Sequence, residues 1–232
     1  MIMNRLKDKL LDILLYPAKL YEKITDGRTS LFAGIVLIGA IDLLLPDAAV
    51  FFKAIFSGKP ANTIYINAVL TVLVIVLLGI IDVTFVSIPL FDFFNFLKKK
   101  EGLINLQQIN GSEMGKDQVF RHTPAHTASR IKIMKVYILS HFVIIPVTLI
   151  LHYAFLRNIT DASPLWVQYL TVVILISIYI WSAAIMTRGI NTLFRFNPIF
   201  ARLTFIIVFS WNYLFAMVFD MQIMNWMYML FR

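Results

Sequence analysis

Hydrophobic and polar positions in this chain segregate into long blocks rather than alternating residue by residue. Five mostly apolar runs, at roughly 31–52, 64–84, 136–156, 166–186 and 203–221, are separated by segments that carry most of the charge. A bilayer core is about 30 Å thick, and a helix rising 1.5 Å per residue needs about 20 residues to cross it. Each run is of that length. Helices are the natural form for such runs, because a span must satisfy its own backbone groups where no water reaches them. The pattern predicts an all-α fold: a polytopic membrane bundle of five transmembrane helices.

The segment ahead of the first run has a different period. Ile2, Leu6, Leu10, Ile13, Pro17, Leu20 and Ile24 recur every three or four residues, with Arg5, Asp8, Lys9, Asp12, Lys19, Glu22 and Lys23 between them. That spacing predicts an amphipathic helix over 1–29, lying at the membrane interface, with residues 30–232 forming the five-span domain. Pro17 should break or kink this helix, since it lacks a backbone donor and clashes with the preceding turn. The segment is charged throughout and the first run is long enough to stay in the membrane, so no cleaved signal peptide is expected.

The second apolar region is longer than a span requires. From Ile64 to Leu97 a single helix would extend about 50 Å. Pro89 offers a place to bend, so the span is expected to end near Thr84, with tilt of an unbroken helix as the competing account. Phe85, Pro89, Phe91, Phe93, Phe94 and Phe96 would then form an aromatic interfacial segment leading to Lys98, Lys99 and Lys100.

Composition agrees with a membrane class: 59% of the 232 residues are hydrophobic and only 15% charged. Charge also gives an orientation, because Lys and Arg near span ends are retained on the cytoplasmic side. With the N-terminus inside, 17 of the 21 Lys and Arg residues fall on the inner side. Five spans then put the C-terminus outside, and the short termini suit a bacterial inner membrane. The net charge of +8 needs no nucleic acid, since basic loops facing anionic membrane lipids account for it. There are no cysteines, which excludes disulfides and thiolate chemistry.

The longest hydrophilic segment, 98–135, is expected to be a cytoplasmic loop, with Gly111, Ser112, Gly115 and Pro124 favouring flexibility. His122 and His126 are four apart, a spacing that could hold a metal on a helix. Pro124 lies between them and no third ligand completes the set, so solvated loop histidines are the simpler reading and no metal is assigned.

Ionisable residues within spans are the best pointers to function, because each costs a few kcal/mol, on the order of 2.5–3.5, at the bilayer centre unless paired or hydrated. Asp42, Asp82, His141 and His152 form the candidate polar site. His141 and His152 are eleven apart and share a helix face. One account has these side chains hydrogen-bonding between helices, with Asn67, Gln168 and Asn212 as partners. The other makes them a proton or ion path through a small transporter. No nucleophile elbow, zinc-binding His-Glu-x-x-His or phosphate loop is present, so neither an enzyme nor a cofactor is expected. Gly34, Gly39 and Ala40 are small enough for close helix approach, within one bundle or between copies in a homo-oligomer.

The run Leu14-Leu15-Tyr16-Pro17 followed by Tyr21-Glu22-Lys23-Ile24, and the polar-to-basic lead-in from Ser129 to Pro146, resemble the Yip domain family. That resemblance implies five spans and a cytoplasmic N-terminus. The eukaryotic members bind prenylated Rab-type GTPases, and their Asp-Leu-Tyr-Gly-Pro signature has no counterpart here, so the resemblance implies a fold more than an activity. The function it favours is non-enzymatic: recruiting or organising a cytosolic protein partner. Arg5, Lys9, Lys98, Lys99 and Lys100 would contact that partner or lipid. Transport through the Asp and His residues is the alternative.

Overall fold

The structure, a computed structural model, describes residues 12–44, 61–111, 129–155, 159 and 163–218. These residues are helical and contain no strand. After a helical piece at 12–15 come α1 (Ala18–Glu22), α2 (Arg28–Leu44), α3 (Ala61–Gly111), α4 (Arg130–Ala154), α5 (Leu165–Phe194) and α6 (Pro198–Val218). Four helices, α3 to α6, are long and apolar enough to cross a membrane. The described part of α2 has 17 residues.

The prolines mark where side-chain packing overrides local preference. Pro17 acts as expected: Tyr16 takes a left-handed φ of 64° and Pro17 opens α1. Pro89 does not end a helix, because α3 runs unbroken through it for 51 residues. Pro146 likewise lies inside a continuous α4. A proline removes one backbone bond, whereas unwinding in lipid would leave several groups unsatisfied. Packing also holds both sides of Pro89, since Val86, Leu90 and Phe94 are all buried.

The expected loop over 98–135 is correspondingly shorter. Residues 98–111 are the last turns of α3, and α4 begins at Arg130, where the Ser129 side chain accepts from the Lys132 N–H. Lys98, Lys99 and Lys100 are therefore helical residues. His122, His126, Arg5 and Lys9 lie outside the described residues.

Helices in lipid gain little from apolar burial and associate through close packing and hydrogen bonds. The tightest seam joins α2 to α3, where a Cβ on Gly39 would stand 1.9 Å from the carbonyl oxygen of Ile75. Several hydroxyls inside the helices are satisfied locally: Thr71, Thr148, Thr171, Thr192 and Thr204 each donate to the carbonyl four residues earlier.

The segment before α2 does not stay apart from the bundle. Tyr21 is completely buried, and its hydroxyl reaches the carbonyls of Leu15 at 3.1 Å and Ile185 at 3.2 Å. The indole of Trp181 donates to the Leu14 carbonyl at 2.7 Å, and Arg188 pairs with Asp12. The turn before α2 is tied to the start of α4: Lys135 donates to the Thr25 carbonyl at 2.7 Å, and Ser129 donates to Asp26.

Candidate functional site

Five helices line a polar cavity of about 180 Å³. α2 supplies Asp42, α3 Asp82, α4 Tyr137 and His141, α5 Tyr179 and Ser182, and α6 Asn212, with Val86, Phe215 and Ala216 as apolar walls. The space is polar and roomy enough to hold water or a hydrated ion.

The cavity lies well inside the bundle. Measured along each helix at 1.5 Å per residue, Asp42 is about 21 Å from Arg28, Asp82 about 24 Å from Lys98, and His141 about 16 Å from Arg130. Those basic residues share one end of the bundle. Lys98 reaches the end of α5, Arg130 pairs with Asp92 on α3 at 3.1 Å, and Arg188 meets Asp12 in the N-terminal strap, residues 12–27. Two carboxylates at that depth are expensive unless they share protons, water or a cation.

Tyr137 organises the centre of the site. Its hydroxyl donates to Asp82 Oδ1 at 2.8 Å, and Asp82 is only 4% exposed. His141, one turn further along α4, stands with its ring centroid 4.3 Å from that of Tyr137. Its Nδ1 lies 3.1 Å from the Tyr137 carbonyl oxygen. A carbonyl only accepts, so the neutral imidazole is assigned its proton on Nδ1, which leaves Nε2 as the basic nitrogen. On α6, the Asn212 amide nitrogen is 3.8 Å from Met186 Sδ, and its oxygen is buried with no hydrogen-bond partner among the described residues.

Of the four residues expected to form the site, Asp42, Asp82 and His141 come together and His152 does not. His152 shares a face with His141 but lies about 16 Å further along α4, edge-on to the Tyr153 ring at 5.3 Å. Common facing did not imply common depth. Asn212 joins the cavity, whereas Asn67 and Gln168 are not among its lining residues, and the Gln168 amide donates to the Ser163 carbonyl. Tyr137 and Tyr179 were not anticipated. The available signal was Tyr137 one turn before His141 within an otherwise apolar run.

The basic end contains a second polar cluster. Lys98 Nζ pairs with Glu101 Oε2 at 2.6 Å, donates to the Arg195 carbonyl at 3.0 Å, and lies 5.6 Å from the Phe196 ring centroid. Glu101 is 3% exposed, and its other oxygen accepts from the Asn197 N–H at 2.7 Å. Together they clamp the tight turn between α5 and α6, where Arg195 has a left-handed φ of 51°. Lys98 is thus engaged within the fold, while Lys99 and Lys100 are exposed. Among the described residues, no three His, Asp or Glu side chains converge as a metal-binding group.

No protein-family model, curated protein or solved structure matches this chain.

Proposed function

We propose that this is a five-span integral membrane protein of Yip-like architecture, with α2 as the first span and the basic end of the bundle facing the cytoplasm. Its polar cavity takes up a proton or small cation for coupled movement across the membrane. The observation that carries this reading is the pairing of Tyr137 with Asp82 in a space that also holds Asp42 and His141. A static structural network would have needed neither a second carboxylate nor a volume left open beside it. In this scheme Asp82 is the primary binding group and Tyr137 orients it. Asp42 supplies the second negative charge, and His141 Nε2 exchanges protons with the cavity.

The test is flux in vesicles containing the purified protein and a pH- or ion-sensitive dye. The unmodified protein should dissipate an imposed gradient, and Asp82→Asn or Asp42→Asn should reduce the rate to that of empty vesicles. A chain that moves neither protons nor alkali cations under any imposed gradient sinks the reading.

A second reading, recruitment of a cytosolic partner without transport or catalysis, is favoured by the reach of α3. At 51 residues it is about 76 Å long, more than twice a bilayer core of about 30 Å. Leu103 and Ile104, close to Lys99 and Lys100, are 61% and 44% exposed on its far turns. Photo-cross-linking from positions 99, 100 and 103 in native membranes separates the two readings: capture of one defined protein supports recruitment, and capture of lipid and self alone removes it.

A further inference from the structure

The seam between α3 and α6 holds another cavity, of about 390 Å³, different in kind from the polar one. Pro89, Leu90 and Phe93 form one wall and Ile206, Trp211 and Leu214 the other. Its rim faces outward, with Phe93 42%, Ile206 60% and Leu214 56% exposed, so in a membrane it opens to the acyl chains around the bundle.

Both walls lead to the same basic end. On α6, exposed Arg202 precedes Ile206 by one turn on the same face. On α3, Pro89, Phe93, Phe96 and Lys100 follow one another at steps of four, three and four residues, and all are exposed. Lys100 Nζ lies 5.2 Å from the Phe96 ring centroid, at the end of that stripe. Whereas Lys98 is committed to Glu101, neither Lys100 nor Arg202 forms an ion pair among the described residues.

We propose that this groove is a binding site for one anionic phospholipid, with the phosphate held by Arg202 and Lys100 and one acyl chain lying between α3 and α6. Charge selects this occupant. Arg202, one turn before Ile206, and Lys100, two turns past Phe93, form no ion pair among the described residues and match an anionic head on an apolar tail. The site is independent of the polar cavity, so failure of the transport reading leaves it standing.

Trp211 provides the reporter. In a chain with Trp166, Trp181 and Trp226 replaced by Phe, Trp211 fluorescence is compared in vesicles containing chain-brominated phosphatidylglycerol or phosphatidylcholine at equal mole fraction. Brominated phosphatidylglycerol should quench in excess, by about fivefold in relative association per basic residue engaged, and Arg202→Gln should remove most of that excess. Equal quenching by both lipids would mean unselective contact with bulk chains and overturns the proposal. Absence of quenching by either would mean that another protein surface covers the groove, which also overturns it. Trp181 contributes a bond to the N-terminal strap, so native mass spectrometry of the unsubstituted protein gives a second measure. One phosphatidylglycerol, and no phosphatidylcholine, should survive delipidation, and it should be lost in Arg202→Gln. Since Arg202 is exposed, that variant leaves the packed interior intact.

Discussion

Gly39 and Gly79 meet across the seam between α2 and α3, each occupying the space that the other's helix backbone leaves. A Cβ on Gly79 would stand 2.0 Å from the Ile35 carbonyl oxygen, and one on Gly39 would stand 2.7 Å from the Gly79 nitrogen. The obstructing atoms are backbone, so rotamer changes cannot relieve the clash. Gly39→Ala and Gly79→Ala should each push the helices apart and cost about 1–3 kcal/mol or more. Gly102 has nothing within 4 Å of its Cβ position, and Gly102→Ala should be neutral or stabilising by up to about 1 kcal/mol. Unfolding titrations in mixed detergent micelles check the contrast. Equal tolerance at all three positions would refute the packing described.

The N-terminal strap is held by the Tyr21 ring under Gly189, where an added Cβ would come within 2.8 Å of Tyr21 Cδ1. Tyr21→Ala should open a cavity costing about 3–5 kcal/mol, whereas Tyr21→Phe loses only the one hydroxyl donor shared between two carbonyls, about 0.5–1.5 kcal/mol in all. Limited proteolysis within residues 12–27 reads strap release directly. Cleavage should rise strongly in the first variant and slightly in the second.

The same phenol gives the strap a pH dependence. Burial pushes the Tyr21 hydroxyl well above the usual tyrosine range, with nearby Arg188 opposing the shift in part. A raised folded-state value means the neutral phenol is the form that docks. Its contribution is constant below about pH 10, where the undocked tyrosine is also neutral, and is lost progressively as pH rises beyond that. Protease sensitivity of the strap should therefore increase above about pH 10 in the unmodified chain. In Tyr21→Phe that alkaline rise should be reduced, and an unchanged profile would show that other groups control docking.

At the α5–α6 turn, the two partners of the Lys98–Glu101 pair should behave unequally. Lys98→Met leaves a carboxylate that is 3% exposed with its cation gone, while Glu101→Gln leaves Lys98, whose side chain is 22% exposed, to turn toward solvent. Removing one member of a buried pair costs about 3–5 kcal/mol, and the partial exposure here lowers that range. Lys98→Met should still lower the unfolding midpoint more than Glu101→Gln, because the amide keeps an oxygen for the Asn197 N–H. The reverse order would mean that the lysine does little for the buried acid.

Much of this arrangement was legible in the order of residues, for a physical reason. A bilayer forces each long apolar run into a helix, and an acid or imidazole within such a run must turn toward other helices, which is why Asp42, Asp82 and His141 were recognisable together. Depth was less accessible, and His152 shows it: a face can be read from spacing, but where a cavity stops depends on the neighbouring helices. Pro89 misled because the packing of Val86, Leu90 and Phe94 is long-range information. The three lysines read as loop because charge usually marks solvent, yet Lys98 finds its acid one turn on and its carbonyl on α5. Gly79 looked like any glycine in a strongly apolar run until Ile35 was seen opposite it.

Tyr137 offers the sharpest access to the polar cavity, because its bond to Asp82 can be removed without altering either charge. Tyr137→Phe deletes one donor, and a bond from a neutral hydroxyl to a carboxyl group contributes about 1.5–3 kcal/mol when the acceptor is charged. Infrared difference spectra recorded between acidic and alkaline buffer report carboxyl groups by their C=O stretch. The band that disappears in Asp82→Asn should shift in Tyr137→Phe, since the hydrogen bond sets its frequency, while the Asp42→Asn spectrum should retain a band that responds to Tyr137. His141→Gln should preserve the Asp82 band position and slow its response, because in the proposed scheme imidazole Nε2 exchanges protons and does not hold the carboxylate. If Tyr137→Phe leaves every carboxyl band where it was, the phenol does not bind Asp82 in the membrane. The cavity then loses the contact around which its chemistry has been assigned.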